Sequence, residues 1–434
     1  MCSRARTPVP ADTLERTPMT LALLFSHAQV AIASAIFAAS YLVFAIGKFP
    51  GTKIDRPAMA VIGAVLMFVF RVLGPQEAIR SIDFPTLVLL FSMMLIVAAL
   101  HIAGFFEWIT GLVVNHLPAR HLLPAVIGVS GVLSAFLVND VVCLFMAPLI
   151  LRVCARTARR PLPYLLALAT ASNIGSTAAI TGNPQNILIG SVSHIGYLDF
   201  LVHLGPVALA GLAIDWAVLR WLFRKQFAEE ESAPIPTKVD MDHIHGRLIF
   251  LPVTVTLLVL LGFLCGWSPA LVAAFGGALL LMRRTLPPHK IYEEVDWSLL
   301  VFFLGLFLIL GGAEEAGIAQ SMLDFAGRWN IHNIYVFTAV TTLLSNLVSN
   351  VPAVMLLKNS IPQFADPHRT WLVLAMASTL AGNLTITGSV ANMIVVEKAR
   401  GEVEVSFMDY LRVGIPITLL TLAFGVFWLT AVRY

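Results

Sequence analysis

Charge is scarce in this chain. Of its 434 residues only 12% are charged and 58% are hydrophobic, whereas average soluble domains carry about 25% charged residues. The mean hydropathy of +0.85 is too high for an apolar core beneath a water-facing surface. These proportions exclude a soluble enzyme and a disordered chain. The net charge of +3 is too small to indicate a nucleic-acid partner.

Cysteine is scarce too, and the common enzyme motifs are missing. The four cysteines (Cys2, Cys143, Cys154 and Cys265) form no CxxC pair, which argues against a disulfide framework or a thiolate metal site. The chain has no GxxxxGK[ST] loop for ATP, no HExxH and no GxSxG. We therefore predict an all-α integral membrane protein that is not an enzyme and uses no cofactor or metal.

Long apolar runs are what the chain has instead. A bilayer-spanning helix needs about 20 mostly apolar residues. Ten segments qualify: 28–48, 57–73, 84–105, 163–190, 205–223, 248–266, 269–282, 297–312, 371–397 and 411–430. Two more apolar stretches, 123–150 and 335–357, are interrupted by polar residues. We predict that both are re-entrant hairpins, because irregular backbone at membrane depth must be buried or face water.

The distribution of Lys and Arg predicts an orientation. Most loop cations fall on one side if the segment after the first span is cytoplasmic, as the positive-inside rule requires. The first hairpin then opens inward, the second opens outward, and both termini lie outside. We expect an N-terminal tail (1–27), a first five-span half (28–223), a cytoplasmic linker (224–247) and a second five-span half (248–434).

The two halves resemble each other. The segment LATASNIGSTAAITGNPQN (168–186) aligns with LAMASTLAGNLTITGSVAN (374–392), and Asp83 before the third span matches Asp296 before the eighth. Because each half holds an odd number of spans, the second half is predicted to be inverted. Inverted repeats are typical of secondary transporters, whose substrates bind near the midplane where helices are broken.

The strongest local signal is a pair of breaks in apolar spans. Thr181–Asn186 (TGNPQN) combines a glycine with a proline, and both disfavour a helix interior. Thr387–Asn392 (TGSVAN) is its counterpart. The half-helices beyond each break would point N-terminal N–H groups at an oxyanion or a polar neutral solute. Such kinks also occur in ordinary membrane helices, where asparagine joins neighbouring helices.

The hairpins add one intramembrane acid. Asp140 follows Asn139, and Val351 occupies the matching position after Asn350. Ionising a carboxyl group there is costly, so Asp140 is a candidate proton carrier or cation ligand, although it could instead cap a helix. Asp215 interrupts span five, where it could face a cavity or pair with an arginine.

Two sets of candidate site residues follow. The predicted substrate-binding residues are Asn139, Gly182, Asn183, Gln185, Asn186, Asn346, Asn350, Gly388, Ser389 and Asn392. The predicted ion-coupling residues are Asp140, Thr181 and Thr387. No Arg or Lys lies near the breaks along the sequence, which argues against a multiply charged substrate.

These motifs resemble the ion transporter superfamily over nearly the whole chain. SAFLVND (134–140), ITGNPQNILIG (180–190), SNLVSNVP (345–352) and ITGSVAN (386–392) look most like the arsenite/antimonite efflux permeases (ArsB type) and the melanosomal P protein. The carboxylate symporters and citrate carriers of the superfamily bear paired Ser-Asn-Thr motifs, which this chain does not reproduce. Plasmid-type arsenite permeases carry an acid near Ser176 and a lysine near Leu384 or Thr385, and this chain is neutral at these positions.

The resemblance implies proton-coupled export of arsenite or antimonite by alternating access, with Asp140 as the main proton candidate. It also implies a homodimer in the plasma membrane of a prokaryote, and it leaves an ATPase subunit open. One alternative is a sodium- or proton-coupled symporter for a carboxylate or inorganic anion. Another is a sodium/proton antiporter, which would need a second buried acid beside Asp140.

Overall fold

The computed structural model describes residues 16–47, 51–116, 118–231, 246–282, 287–318 and 330–431. The described elements are all helical, as predicted. The first half contains α1 (Arg16–Ile46), α2 (Arg56–Val69), α3 (Pro75–Ser81), α4 (Phe84–Ile102), α5 (Phe105–His116), α6 (Leu122–Phe136), α7 (Asn139–Arg156), α8 (Leu162–Ser176), α9 (Pro184–Ser193), α10 (Tyr197–Leu222) and α11 (Arg224–Glu231). The second half contains α12 (Gly246–Leu264), α13 (Pro269–Leu281), α14 (Pro288–Glu293), α15 (Trp297–Glu315), α16 (Ile334–Val348), α17 (Asn350–Leu357), α18 (Pro367–Ala381), α19 (Val390–Ala399) and α20 (Phe407–Ala431).

Five described helices have the length and apolar composition to cross a bilayer. They are the Ala28–Ile46 part of α1 together with α4, α10, α15 and α20. The remaining predicted spans are shorter apolar helices or are divided in two: α8 with α9, and α18 with α19. The structure therefore contains both predicted broken helices.

Several predicted boundaries differ from the observed ones. The helix α10 begins at Tyr197, eight residues before the predicted span, and α1 begins at Arg16, inside the predicted tail. The predicted linker contains α11, and its residues 232–245 lie outside the described part, as do residues 1–15. The twelve-residue helix α5 was not predicted. It follows Gly104, whose positive φ of 85° ends α4 and redirects the chain.

Both predicted hairpins are present. The helices α6 and α7 pack against each other and are separated only by Leu137 and Val138, and α16 and α17 pack in the same way around Ser349. Ser349 has φ 78° and ψ 159°, an uncommon conformation for a residue with a side chain. The polar interruptions seen in the sequence therefore mark the turns.

Packing between the halves is reciprocal. The helix α2 packs on α15 while α13 packs on α4, and α8 packs on α19 while α18 packs on α9. Each contact thus recurs with the halves exchanged, as a two-fold relation between two like units requires. Inversion of the halves across the bilayer stays a prediction.

Candidate functional site

The two breaks lie at matching places in the halves. The helix α8 ends at Ser176 and α9 begins at Pro184, with one 3₁₀ turn (Ile180–Gly182) between them. In the second half α18 ends at Ala381 and α19 begins at Val390, with the 3₁₀ turn Ile386–Gly388 between them. Pro184 is tolerated because a helix needs no N–H donor in its first turn.

An asparagine side chain bridges each break. Asn186 Nδ2 donates to the carbonyl oxygens of Ser176 at 3.0 Å and Ala179 at 3.2 Å. Asn392 Nδ2 donates in the same way to Gly382 O at 2.7 Å and Thr385 O at 3.0 Å. Ser176 and Gly382 lie at the ends of α8 and α18, where carbonyls lack a partner within the helix. Ala179 O and Thr385 O also accept hydrogen bonds from Gly182 N and Gly388 N. Both asparagines are fully buried, so their amide nitrogens are committed to the fold.

Asn173 on α8 connects the first half to the second break. Its Nδ2 lies 2.9 Å from the Oδ1 atoms of both Asn383 and Asn392. Its Oδ1 accepts hydrogen bonds from Ser389 Oγ at 2.9 Å and from Asn139 Nδ2 at 3.0 Å. Asn173 thereby joins a hairpin tip, a broken helix and the opposite half.

Thr379 on α18 makes the reciprocal set. Its Oγ1 lies 3.1 Å from Asn183 Nδ2, 3.2 Å from Gln185 Nε2 and 3.4 Å from Asn186 Oδ1. Thr379 occupies the position of the second half that matches Asn173 in the aligned segments. The centre of the molecule is thus a polar crossing of the two breaks.

Two buried amide oxygens at the hairpin tips have no hydrogen-bond partner among the described residues. They are Asn139 Oδ1 and Asn350 Oδ1, which occupy matching positions in the first turns of α7 and α17. A buried acceptor without a partner costs about 1–3 kcal/mol. Both asparagines line one cavity, so a ligand there could supply the missing donors.

That cavity has an open volume of about 770 Å³. Its walls include both tips and both breaks, through Asn139, Asp140, Pro184, Gln185, Ser349, Asn350, Val351, Ser389 and Val390, together with Arg56, Pro57, Asp296, Ser298, Leu299 and Phe302. The N-termini of α7, α9, α17 and α19 all end at this space. Aligned N–H groups give each terminus a partial positive charge.

Three ionisable side chains line the cavity. Asp140 lies beside the Ala391 amide N–H of α19 and close enough to Asp296 for the two carboxyl groups to interact. Arg56 begins α2, and its Nε donates to Phe44 O at 2.9 Å. We expected no cation at the site, because none lies near the breaks along the sequence. That expectation is wrong, since the fold brings Arg56, at the N-terminus of α2, to the cavity between the hairpin tips.

Five of the predicted site residues lie on the cavity wall: Asn139, Asp140, Gln185, Asn350 and Ser389. The remaining eight lie behind that wall or away from it: Gly182, Asn183, Asn186, Asn346, Gly388, Asn392, Thr181 and Thr387. Among these, Thr181 is buried with its Oγ1 2.8 Å from Tyr197 Oη, whereas its counterpart Thr387 is exposed. Asn346 donates to Ala381 O at 2.8 Å.

Asn173 and Thr379 are the central residues that the site prediction omitted. They differ in identity, so a search for repeated letters passes over them, although both are polar and hold matching places in otherwise apolar helices. Within the described residues no three His, Cys, Asp or Glu side chains could hold a metal ion. Cys143 lies near a tip, with its Sγ 3.1 Å from Ser172 Oγ.

A second cleft of about 930 Å³ lies between α4, α9, α12 and α13. Its walls include Ile187, Ser191 and Tyr197 but neither Asn139 nor Asn350. Beside this cleft α4 packs on α9, and Ser191 Oγ lies 2.9 and 3.0 Å from the two carboxylate oxygens of Asp83. The cleft is therefore separated from the hairpin tips in this conformation.

Comparisons with known proteins agree with this architecture. Residues 41–381 match a family model described as "Citrate transporter". The chain is 30% identical to "Silicon efflux transporter LSI3" of rice, over 93% of this chain and 98% of that protein. It is 26% identical to "Putative transporter arsB" of Dictyostelium discoideum, over 90% of each chain. The crystal structure of the Alcanivorax borkumensis YdaH transporter has a similar fold, with a TM-score of 0.54 and 14% identity over 94% of this chain and 97% of that one.

Proposed function

The chain belongs to the citrate transporter family and is a secondary membrane transporter, and we propose that it exports arsenite or antimonite in exchange for protons. The observation that carries this proposal is a pair of buried amide oxygens without a hydrogen-bond partner, Asn139 Oδ1 and Asn350 Oδ1, on two residues that line one cavity. Arsenite is an uncharged trihydroxide at neutral pH, so it can donate O–H groups in several directions at once. An ionised carboxylate group has no such donor.

The wall residues complete this environment. The side chains of Gln185 and Ser389 add further hydrogen-bonding groups between the two tips. The names of the relatives are compatible with such a cargo, since one is a silicon efflux transporter and another is a putative transporter named arsB. We therefore place small neutral hydroxides, with arsenite and antimonite first, as the substrate class.

Asp140 is the proposed proton carrier. It lines the cavity at a hairpin tip, and an ionised carboxyl group at membrane depth is costly unless charge or hydrogen bonds compensate it. In the proposed cycle Asp140 binds a proton when the cavity faces outward and releases it inward. Inward release of the proton drives outward movement of the substrate.

Alternating access follows from the difference between the two clefts. The cavity opens on the side of Arg56 and Asp296, which the Lys and Arg distribution predicts to be cytoplasmic. The Asp83–Ser191 contact joins α4 to α9 beside the other cleft. We propose that this conformation faces inward, in the plasma membrane of a prokaryote, and that the outward-facing one exchanges the roles of the two clefts.

A second candidate cargo is a carboxylate anion moved with sodium or protons. Arg56 and the four converging helix N-termini favour negative charge, and the family model is described as a citrate transporter. In that case Asn139 Oδ1 and Asn350 Oδ1 would coordinate sodium. The two candidates thus assign different ligands to the same two oxygens.

Ligand-dependent thermal stability of the purified protein tests the proposal. A ligand at 100 times its Kd adds about 2.7 kcal/mol to the unfolding free energy. We expect stabilisation by arsenite or antimonite without sodium, lost in Asn139→Ala and Asn350→Ala. Asn359→Ala, an asparagine that bonds Glu314 instead, is the matched control and should keep it. Stabilisation only by citrate together with sodium would reject the hydroxide proposal in favour of the second candidate.

A further inference from the structure

Asp215 is a buried carboxyl group that the proposed cycle does not use. It lies inside α10 with 0% of its surface exposed. From the sequence, Asp215 could either face a cavity or pair with an arginine. Among the described residues the structure shows neither arrangement. It is not on the wall of the cavity, and its Oδ2 atom is buried without a hydrogen-bond partner.

The hydrogen atoms around Asp215 indicate its protonation state. Thr170 Oγ1 lies 2.8 Å from Asp215 Oδ1 and also 2.8 Å from Leu166 O. A threonine hydroxyl has one hydrogen to donate, so it cannot donate to both oxygens. If Asp215 is protonated, its O–H donates to Thr170 and the hydroxyl of Thr170 donates to Leu166. If Asp215 ionises, the hydroxyl must turn to the carboxylate and leave Leu166 O.

The second half shows that the fold itself does not need this acid. Gly425 on α20 matches Asp215, and Met376 on α18 matches Thr170. The side chain of Met376 fills the space there, since a Cβ on Gly425 would lie 2.2 Å from the sulfur of Met376. The same place is therefore an apolar contact in one half and a carboxyl–hydroxyl pair in the other.

A chain of hydrogen bonds connects this pair to the central crossing. Asn383 Nδ2 donates to Thr170 O at 3.3 Å, and Asn173 Nδ2 donates to Asn383 Oδ1 at 2.9 Å. Asn173 in turn accepts from Asn139 at the hairpin tip. A change in how α8 is held near Thr170 therefore acts on the groups that position the tip.

Few ionisable groups surround Asp215. The helices α6, α8, α12, α18 and α20 pack against α10, and the buried Tyr410 lies on α20. In sequence, the other charged or titratable residues of these helices fall in or next to their first turns: Tyr164 on α8, Arg247 on α12, His368 and Arg369 on α18, and Asp409 and Arg412 on α20. The helix α11, which follows α10 along the chain, contains further charged residues: Arg224, Lys225, Glu229, Glu230 and Glu231.

We propose that Asp215 is a second proton-binding carboxyl of the transport cycle, protonated in this conformation. It binds a proton from water as a carboxylate and returns the proton to water from the carboxylic acid. The Thr170 hydroxyl reorients between Asp215 and Leu166 at each change. Asp215 is thus a positioning residue that acts through Thr170 and Asn383, and the inference rests on the proposed function only for the step in which substrate moves.

Infrared difference spectroscopy of the substrate-free protein tests the protonation directly. We expect a carbonyl stretch from a protonated buried carboxyl group that decreases as the pH is raised. The part of the band that belongs to Asp215 should be missing in Asp215→Asn. It should remain in Asp140→Asn, which removes the other proposed proton carrier, and in Asp409→Asn, an acid at the exposed start of α20. Asn at position 215 can donate to Thr170 in place of the acid, so this variant should fold. Absence of the band from the wild type, or a band that never responds to pH, would overturn the proposal.

Proton counting in reconstituted vesicles tests the role in transport. We expect Asp215→Asn to move one proton fewer per substrate molecule than the wild type and to lose part of the pH dependence of transport. Thr170→Val should shift that pH dependence while keeping the infrared band. An unchanged proton count in Asp215→Asn would contradict the coupling role. If arsenite is not the substrate, the infrared result still stands or falls by itself.

Discussion

The two halves of this transporter share a frame and differ in their acids. The asparagines that bridge the breaks, Asn186 and Asn392, bond backbone carbonyls at matching positions. The partnerless oxygens at the tips, on Asn139 and Asn350, are matched as well. Both halves therefore share the hydrogen bonds that hold the broken helices and the polar residues that line the site.

The membrane-embedded acids occur in the first half alone within these matched places. Asp140 corresponds to Val351, and Asp215 corresponds to Gly425. Substrate binding near a two-fold axis needs groups from both halves, whereas proton binding needs only one carboxyl group at a time. We infer that the residues matched between the halves build the fold and bind substrate, whereas the unmatched acids bind protons. The following variants test that division.

The largest effect is expected at the glycine of the first break. A Cβ on Gly182 would lie 2.2 Å from the backbone oxygen of Ser176, whereas one on Gly388 would first meet Asn346 Oδ1 at 2.7 Å. A side chain can move aside and a helix end cannot. We expect Gly182→Ala to lose more than about 3 kcal/mol of unfolding free energy and Gly388→Ala about 1 kcal/mol. Denaturant unfolding in detergent measures both losses. Equal losses would contradict the claim that the first break tolerates a side chain less well than the second.

The bridging asparagines should behave alike. Asn186→Ala and Asn392→Ala each remove two hydrogen bonds to buried backbone carbonyls, so we expect a loss of about 2–3 kcal/mol in both. Thermal unfolding without ligand is the measurement. If either variant kept its stability but lost the arsenite-dependent shift, that asparagine would be a substrate ligand instead.

The unmatched acid at the tip should affect coupling rather than stability. Asp140→Asn keeps the size of the side chain, so we expect folding and ligand binding to survive. Proton-driven transport should fall more than tenfold, about 1.4 kcal/mol, because no proton is bound at the cavity. Val351→Asn, at the matching place, is the control and should retain coupling. Full proton-driven transport by Asp140→Asn would assign the coupling to another group.

The smallest effect is expected at the contact between α4 and α9. Ser191→Ala removes the hydroxyl that Asp83 accepts from, and this half-exposed contact is worth about 1 kcal/mol. A shift of that size raises the outward-facing population about fivefold. Labelling of Ile187→Cys, buried beside the second cleft, by an impermeant thiol reagent reports the opening when the exposed Cys265 is replaced by serine. Ser193→Ala on the same helix should leave the labelling unchanged.

The sequence predicted the interruptions of the fold better than its uninterrupted parts. Polar residues within apolar runs have few places to go in a membrane, so the hairpin turns and both broken helices could be predicted. The helix α5 could not, because its mixed sequence FFEWITGLVVNH resembles a loop after an apolar span. The early start of α10 was missed for the same reason, since Asp199 and His203 lie in its first turns.

The site could be predicted only as far as local motifs reach, because contacts between residues distant in sequence bring its other residues together. The lining by Asn139, Gln185 and Asn350 follows from local motifs. Arg56 was missed because it lies in a loop of the predicted topology, far along the chain from either break. Thr379 was missed, and Asn173 was considered only as a residue that could line a cavity, because different residue types take the same role in the two halves.

The most direct test of the central claim is proton movement in everted membrane vesicles whose lumen has been made acidic. Because the lumen corresponds to the outside of the cell, an exporter that exchanges substrate for protons should release lumenal protons when arsenite is added to the bath. We predict that the lumen becomes less acidic with the wild type and stays acidic with Asp140→Asn. No response to arsenite or antimonite, together with sodium-dependent movement of citrate, would contradict the account.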